Sequence, residues 1–169
     1  AWLNGMDFYD FSKNYPHLSS KTGGLADWLA MDDRTPSDML NNAIYIYMME
    51  VTAYMAEAIG HTDYAKILRK RHTLAKAEWN KAYVDPATGK TKTVDGKIIH
   101  SQSSYATPLN FNCFNDEYKA KAESYLAELT IHPSHSGEGE LPFLPYTITT
   151  GFSGTPNILP ALSRSGHHK

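Results

Sequence analysis

With one cysteine, Cys113, in 169 residues, the chain can form no internal disulfide, so burial and hydrogen bonding must hold it together. The compartment stays open, because a domain of this length can bury a real core without a bridge. Cys113 itself reads as a small buried residue at a helix end. No apolar run approaches the roughly 20 residues of a membrane-spanning helix, and no signal sequence is recognisable. An excess of charge is missing too: acids and bases nearly cancel, for a formal net charge of −2, and no basic stripe occurs. Nucleic acid and anionic membrane are therefore not expected partners. The opening segment AWLNGMDFYDF reads as the last turns of a helix, and the chain closes on Gly166, His167, His168 and Lys169, so both ends look cut. No metal role is assigned to the terminal histidines, and no cofactor is expected.

What is present is helical periodicity with clear punctuation. Trp2 to Phe11 is a short amphipathic helix leading to a loop with Pro16, Gly23 and Gly24. Pro36 to Ile59 repeats Leu40, Ala43, Ile44, Tyr47, Val51, Tyr54, Met55 and Ala58 at helical spacing, and Gly60 stops it. Thr35 with Asp38 forms a capping box there, with Pro36 at the first helical position. Thr62 caps a second helix reaching Tyr83, with Lys66, Arg69, Lys70, Lys76 and Lys81 on its solvent side. Turn signals in DPATGK and VDGK flank a small β-hairpin near 91–99. Helices at 102–111, 116–129 and 156–164 follow, with a long loop from Thr130 to Thr149 before the last. The tyrosines Tyr45, Tyr47, Tyr54 and Tyr64 read as core.

Helices with little charge (36–59, 102–111, 156–164) alternate with helices that have a charged face (2–11, 63–83, 116–129). Connections from the first kind to the second are short, and those back are long. Stacked hairpins of this sort make an all-α solenoid or, when the array closes, a toroid of inner and outer helices. All long loops then share one end, at the N-termini of the inner helices, where dipoles are positive and a pocket can form.

Two of those loops have one design, an aromatic followed by Thr-Pro and an apolar helix: LADWLAMDDRTP (25–36) and TTGFSGTP (149–156). In the second, Gly151 and Gly154 can take positive φ, Thr155 can cap, and free backbone donors suit a sugar or an anion, although a plain turn into a helix explains the same residues. In the first, Trp28 can stack on the C–H face of a sugar while Asp27, Asp32 and Asp33 bond its hydroxyls. Equally, Trp28 can plug the bundle, with the aspartates favouring a helix N-terminus. Glu138 and Glu140 sit side by side and so make a poor acid/base pair across a substrate. His132 and His135 give H-x-x-H in a loop with no third ligand, which argues against zinc. Ser103, Ser104 and Ser153 have no nucleophile-elbow context, and no strand or lysine accompanies the glycines as a phosphate loop requires.

With these residues in view, the chain resembles the catalytic domain of bacterial α-L-rhamnosidases, inverting glycosidases built on an (α/α)6 toroid. LADWLA corresponds to a Gly-Asp-Trp-Leu motif, HSQSSYATPLNF to a Thr-Gln-Thr-Ala-Tyr-Ala-Leu segment, and ITTGFSGTPNILPALSRSGH to a Leu-Thr-Thr-Gly-Phe-x-Gly-Thr-Pro run. Ala26 departs from the family's glycine, and Thr147 stands where a histidine is expected. The resemblance implies that Trp28 and Asp27, Gln102 with Tyr105, and Thr150 with Phe152 line one rhamnose pocket. It implies a rhamnose-containing glycoside or polysaccharide as partner. It also implies that the general acid and general base lie outside this chain, which would hold about six of roughly twelve helices as one partial domain over 1–169. The exposed inner-helix faces of half a ring predict self-association. Two alternatives remain at this point: a non-enzymatic helical-hairpin binding module, and an (α/α)6 glycosidase or lyase of other sugar specificity.

Overall fold

A computed structural model describes residues 14–19, 24, 26–133 and 143–167. The helix expected at Trp2–Phe11, and residues His135, Glu138, Glu140 and His168, lie outside the described residues. Five helices run in order: α1 (Ser37–Ala58), α2 (Thr62–Tyr83), α3 (Gln102–Asn110), α4 (Asp116–Ile131) and α5 (Thr155–Arg164). Each boundary falls where the punctuation puts it, to within two residues. Gly60, at φ 84°, turns α1 into α2, and Asn112, at φ 53°, turns α3 toward α4.

The helices pack as two rows. α1 touches α2 and α3, and α3 touches α4 and α5, so α1, α3 and α5 form an inner line with α2 and α4 outside it. The uncharged α3 is the most enclosed element, with every residue from Gln102 to Leu109 buried. α2 instead keeps its basic side in solvent and buries Ala65, Leu68, Ala75 and Trp79. Trp79 closes the core between the rows, its indole N–H donating to the Met39 carbonyl at 3.2 Å and its ring meeting Phe114 edge-on at 5.2 Å. Buried Asn80 clamps the α3–α4 turn, donating to the Cys113 carbonyl at 2.7 Å and accepting from the Asn115 N–H at 2.9 Å. Cys113 is buried at the end of a helix, as expected, and burial pushes its thiol pKa up.

Several expectations change. α1 buries Met39, Leu40, Ala43, Tyr45, Ile46, Met49 and Ala53, while Tyr47, Tyr54 and Met55 of the expected stripe are exposed, as is Tyr64. An inner helix is apolar nearly all round, so periodicity does not choose its buried face. The Thr35–Asp38 capping box does not form. Pro36 precedes the helix in extended conformation, Thr35 bonds the Ser101 hydroxyl at 2.7 Å, and Asp38 accepts from the Tyr83 hydroxyl at 3.0 Å. Thr62 lies inside α2 rather than capping it, and Thr155 lies inside α5 with its hydroxyl on the Gly151 carbonyl. The hairpin near 91–99 reduces to a turn with single bridges, Val84 to Thr91 and Lys92 to Ile98, and the described residues hold no named strand.

Candidate functional site

The N-terminal ends of α1, α3 and α5 meet where the 26–36 loop and the 147–155 turn dock together. Two main-chain bonds join them directly, Met31 N–H to the Thr149 carbonyl and Phe152 N–H to the Trp28 carbonyl, both at 2.8 Å. At the centre is Asp27, 5% exposed. Its Oδ1 accepts from the N–H groups of Ser153 at 2.9 Å and Gly154 at 2.7 Å, and its Oδ2 from Gly151 N–H at 2.7 Å and the Ser103 hydroxyl. The free donors ahead of α5 thus hold an anion, as their chemistry suggests, but the anion is the protein's own carboxylate.

The glycines serve this docking through their missing side chains. Neither Gly151 nor Gly154 has positive φ. A Cβ at Gly151 would lie 2.6 Å from Ala30 N, 2.7 Å from the Asp27 carbonyl oxygen and nearer still to that of Trp28, and one at Gly154 would lie 2.9 Å from Asp27 Oδ2. The left-handed conformations fall on the facing loop instead, at Ala26 (φ 54°) and Leu29 (φ 67°), which brackets Asp27 and Trp28 in a tight reversal.

A second carboxylate, Asp32, ties the same loop to α3. Its Oδ2 accepts from Gln102 N–H at 2.9 Å and from the Thr149 hydroxyl at 2.6 Å. The aspartates do favour a helix N-terminus, but Asp32 serves α3, not the helix that follows it in sequence. Burial raises its pKa to about 6, against the pull of the Thr149 and Gln102 hydrogen bonds.

The six residues expected at a pocket all lie at or close behind this end of the molecule, in two groups. Trp28 and Phe152 are 51% and 75% exposed, their rings 6.2 Å apart and tilted by 37°. Trp28 therefore does not plug the bundle. The other four are buried and engaged within the protein. Besides Asp27, the Gln102 amide donates to the Leu129 and Thr147 carbonyls and accepts from Thr149 N–H. The Tyr105 hydroxyl meets His100 Nδ1 at 2.8 Å, and Thr150 Oγ1 meets Thr155 Oγ1 at 2.9 Å. Burial pushes the Tyr105 pKa up and that of His100 down. Thr147, which departs from the family's histidine, contributes its carbonyl to Gln102. Thr149 opens the TTGFSGTP loop and Ser103 lies in the SQSSYA segment, but nothing local in the sequence marks them as partners of Asp32 and Asp27. Among the described residues no group of three or more His, Cys, Asp or Glu could hold a metal ion, and no helix is long and apolar enough to cross a membrane.

A row of helical hairpins with aromatic-bearing loops at the inner N-termini is a stretch of an (α/α)6 glycosidase-type toroid. The chain belongs to the family described as the bacterial alpha-L-rhamnosidase 6 hairpin glycosidase domain, which it matches over residues 2–169. An alpha-L-rhamnosidase of Streptomyces avermitilis is 29% identical over 174 residues, taking in 99% of this chain and 14% of that protein. The crystal structure of the Streptomyces avermitilis enzyme complexed with L-rhamnose superposes with a TM-score of 0.71 at 27% identity, over 98% of this chain and 14% of that one. The native α-L-rhamnosidase from Aspergillus terreus shares the fold, with a TM-score of 0.68 at 22% identity, over 88% of this chain and 16% of that one. The chain thus spans about a seventh of the length of the relatives it matches.

Proposed function

We propose that this chain is part of a glycoside hydrolase that releases terminal α-L-rhamnose, and that its loop end supplies one wall of the sugar pocket. The carrying observation is the exposed Trp28–Phe152 pair, fixed on two loops that a buried carboxylate knots together. Aromatic faces take up the C–H surface and methyl group of a deoxyhexose, and a wall that is already ordered loses little entropy on binding. In this reading Trp28 and Phe152 touch the sugar, whereas Asp27, Gln102, Tyr105 and Thr150 hold the wall in place. The reaction is inverting hydrolysis. One carboxylic acid protonates the glycosidic oxygen and a carboxylate roughly 6.5 to 9.5 Å away activates water. Both belong to sequence outside this chain. Six hairpins make twelve helices, and the missing ones would cover the apolar side of α1 at Met55. Without them that side favours self-association.

The test is hydrolysis of an aryl α-L-rhamnoside. The intact protein is expected to release the aryl alcohol and the 169-residue chain alone is not. Trp28→Ala in the intact protein should lower kcat/KM by roughly tenfold to a hundredfold without loss of fold, a loss of about 1.4 to 2.8 kcal/mol. Hydrolysis by the isolated chain would put the catalytic acids inside it. An unchanged kcat/KM would remove Trp28 from the pocket, and an intact protein inert to rhamnosides but active on other glycosides would change the sugar.

A further inference from the structure

Asp27 and Asp32 lie five residues apart on one loop and differ in one respect. All of Asp27's accepting capacity is matched by donors. Asp32 is 7% exposed, its Oδ2 takes two donors, and its Oδ1 is buried with no hydrogen-bond partner. A buried carboxylate oxygen without a donor is poorly solvated when charged, and a proton placed on Oδ1 removes that charge while leaving Oδ2 free to accept from Gln102 and Thr149. The contact lies beside the wall: Thr149 pairs through its carbonyl with Met31 and stands three residues before Phe152, and Asp32 stands four residues after Trp28.

We infer that Asp32 is a positioning residue for the Trp28–Phe152 wall: its carboxyl group clasps α3 and Thr149 to the aromatic loop, and gain or loss of its proton resets the spacing of the two rings. The groups that α3 and the 147–155 turn present to it, the Gln102 main-chain N–H and the Thr149 hydroxyl, are uncharged. The charged group acting on it is Asp27 of its own loop, which opposes ionisation. The sugar contact rests on the function proposed above, but the clasp does not.

The experiment is a fluorescence titration of the full-length protein without sugar from pH 4.5 to 8, reading Trp28 alone as the difference between wild type and Trp28→Phe. A one-proton transition near pH 6 is expected, in line with the raised pKa of about 6, and it should vanish in Asp32→Asn. Thr149→Val removes a hydrogen bond to the charged form and should move the midpoint upward, whereas Thr149→Ser should restore it. Should Asp32→Asn fail to fold, the Thr149 pair decides. A wild type without a transition, a transition that persists in Asp32→Asn, or a midpoint indifferent to Thr149→Val overturns the clasp. A successful titration beside a failed rhamnoside assay would leave the clasp standing and remove only the sugar.

Discussion

The two aromatic loops look alike in sequence and do opposite things. The 26–36 loop brings carboxylates and left-handed turns, while the 147–155 turn brings backbone donors and glycines that let another backbone lie against it. Their likeness, an aromatic and a Thr-Pro ahead of an apolar helix, reflects their shared position in the hairpin repeat. Their difference is complementarity: one carries the anion and the other the nest that binds it. The aromatic wall results from that docking, since Trp28 and Phe152 ride on the two joined backbones.

If the docking is the organising contact, its failure should be severe and lopsided. Gly151→Ala would press a methyl group against three backbone atoms of the facing loop, none of which can rotate away. A loss of about 5 kcal/mol is expected, enough to unfold a marginal domain, and urea denaturation measures it. Asp27→Ala leaves three N–H groups and the Ser103 hydroxyl without their acceptor inside the protein. That should cost about 4 kcal/mol, with Asp27→Asn milder because one oxygen still accepts. A change below about 1 kcal/mol for either glycine or aspartate variant would mean the loops hold their places through the helices alone.

The helices were legible because their limits are written locally. Gly60 and Asn112 supply left-handed turns, and Ser101 makes a capping box with Ser104. The faces were less legible. α1 is apolar on both sides, so its periodicity fits a stripe through Tyr47 and Tyr54 as well as the buried one through Ala43 and Met49. At the site, a common end for Trp28 and Phe152 followed from the alternation of short and long connections. The knot did not, because Asp27 meets its partners across 76 to 127 residues and an aspartate beside a tryptophan suits a sugar hydroxyl as well as a distant turn. The glycines pointed to the right turn for a different reason, close approach instead of positive φ.

A smaller effect separates the two carboxylates by pH. Asp32 has its folded pKa raised from 3.8 to about 6 by burial. Between those values the folded state binds a proton that the unfolded state has released, so this contribution to stability falls as pH rises from about 4 to about 6 and is flat above. Its size is at most about 3 kcal/mol. Asp85 and Asp95, held low chiefly by hydrogen bonds from Thr88 and Thr93, work in the opposite direction and are common to wild type and Asp32→Asn. The wild-type minus Asp32→Asn difference in unfolding free energy should therefore decline across pH 4 to 6, and a level difference would show that Asp32 ionises freely in the fold.

The smallest expected change tests which loop carries the strain. Ala26 stands at φ 54°, a conformation that a Cβ disfavours by about 1 kcal/mol or more. Ala26→Gly relieves it, against the larger backbone entropy that glycine loses on folding, for a net gain of about 0.5 kcal/mol. The same exchange reversed at Gly154, whose φ of −81° any residue can adopt, should instead be costly, because a Cβ there meets Asp27 and Ser103. Opposite signs for Ala26→Gly and Gly154→Ala in thermal unfolding would place backbone strain on the loop of the anion and steric tightness on the loop of the donors. A loss in both variants would mean that Ala26 is held without strain, leaving steric tightness at Gly154 as the difference in backbone fit between the two loops.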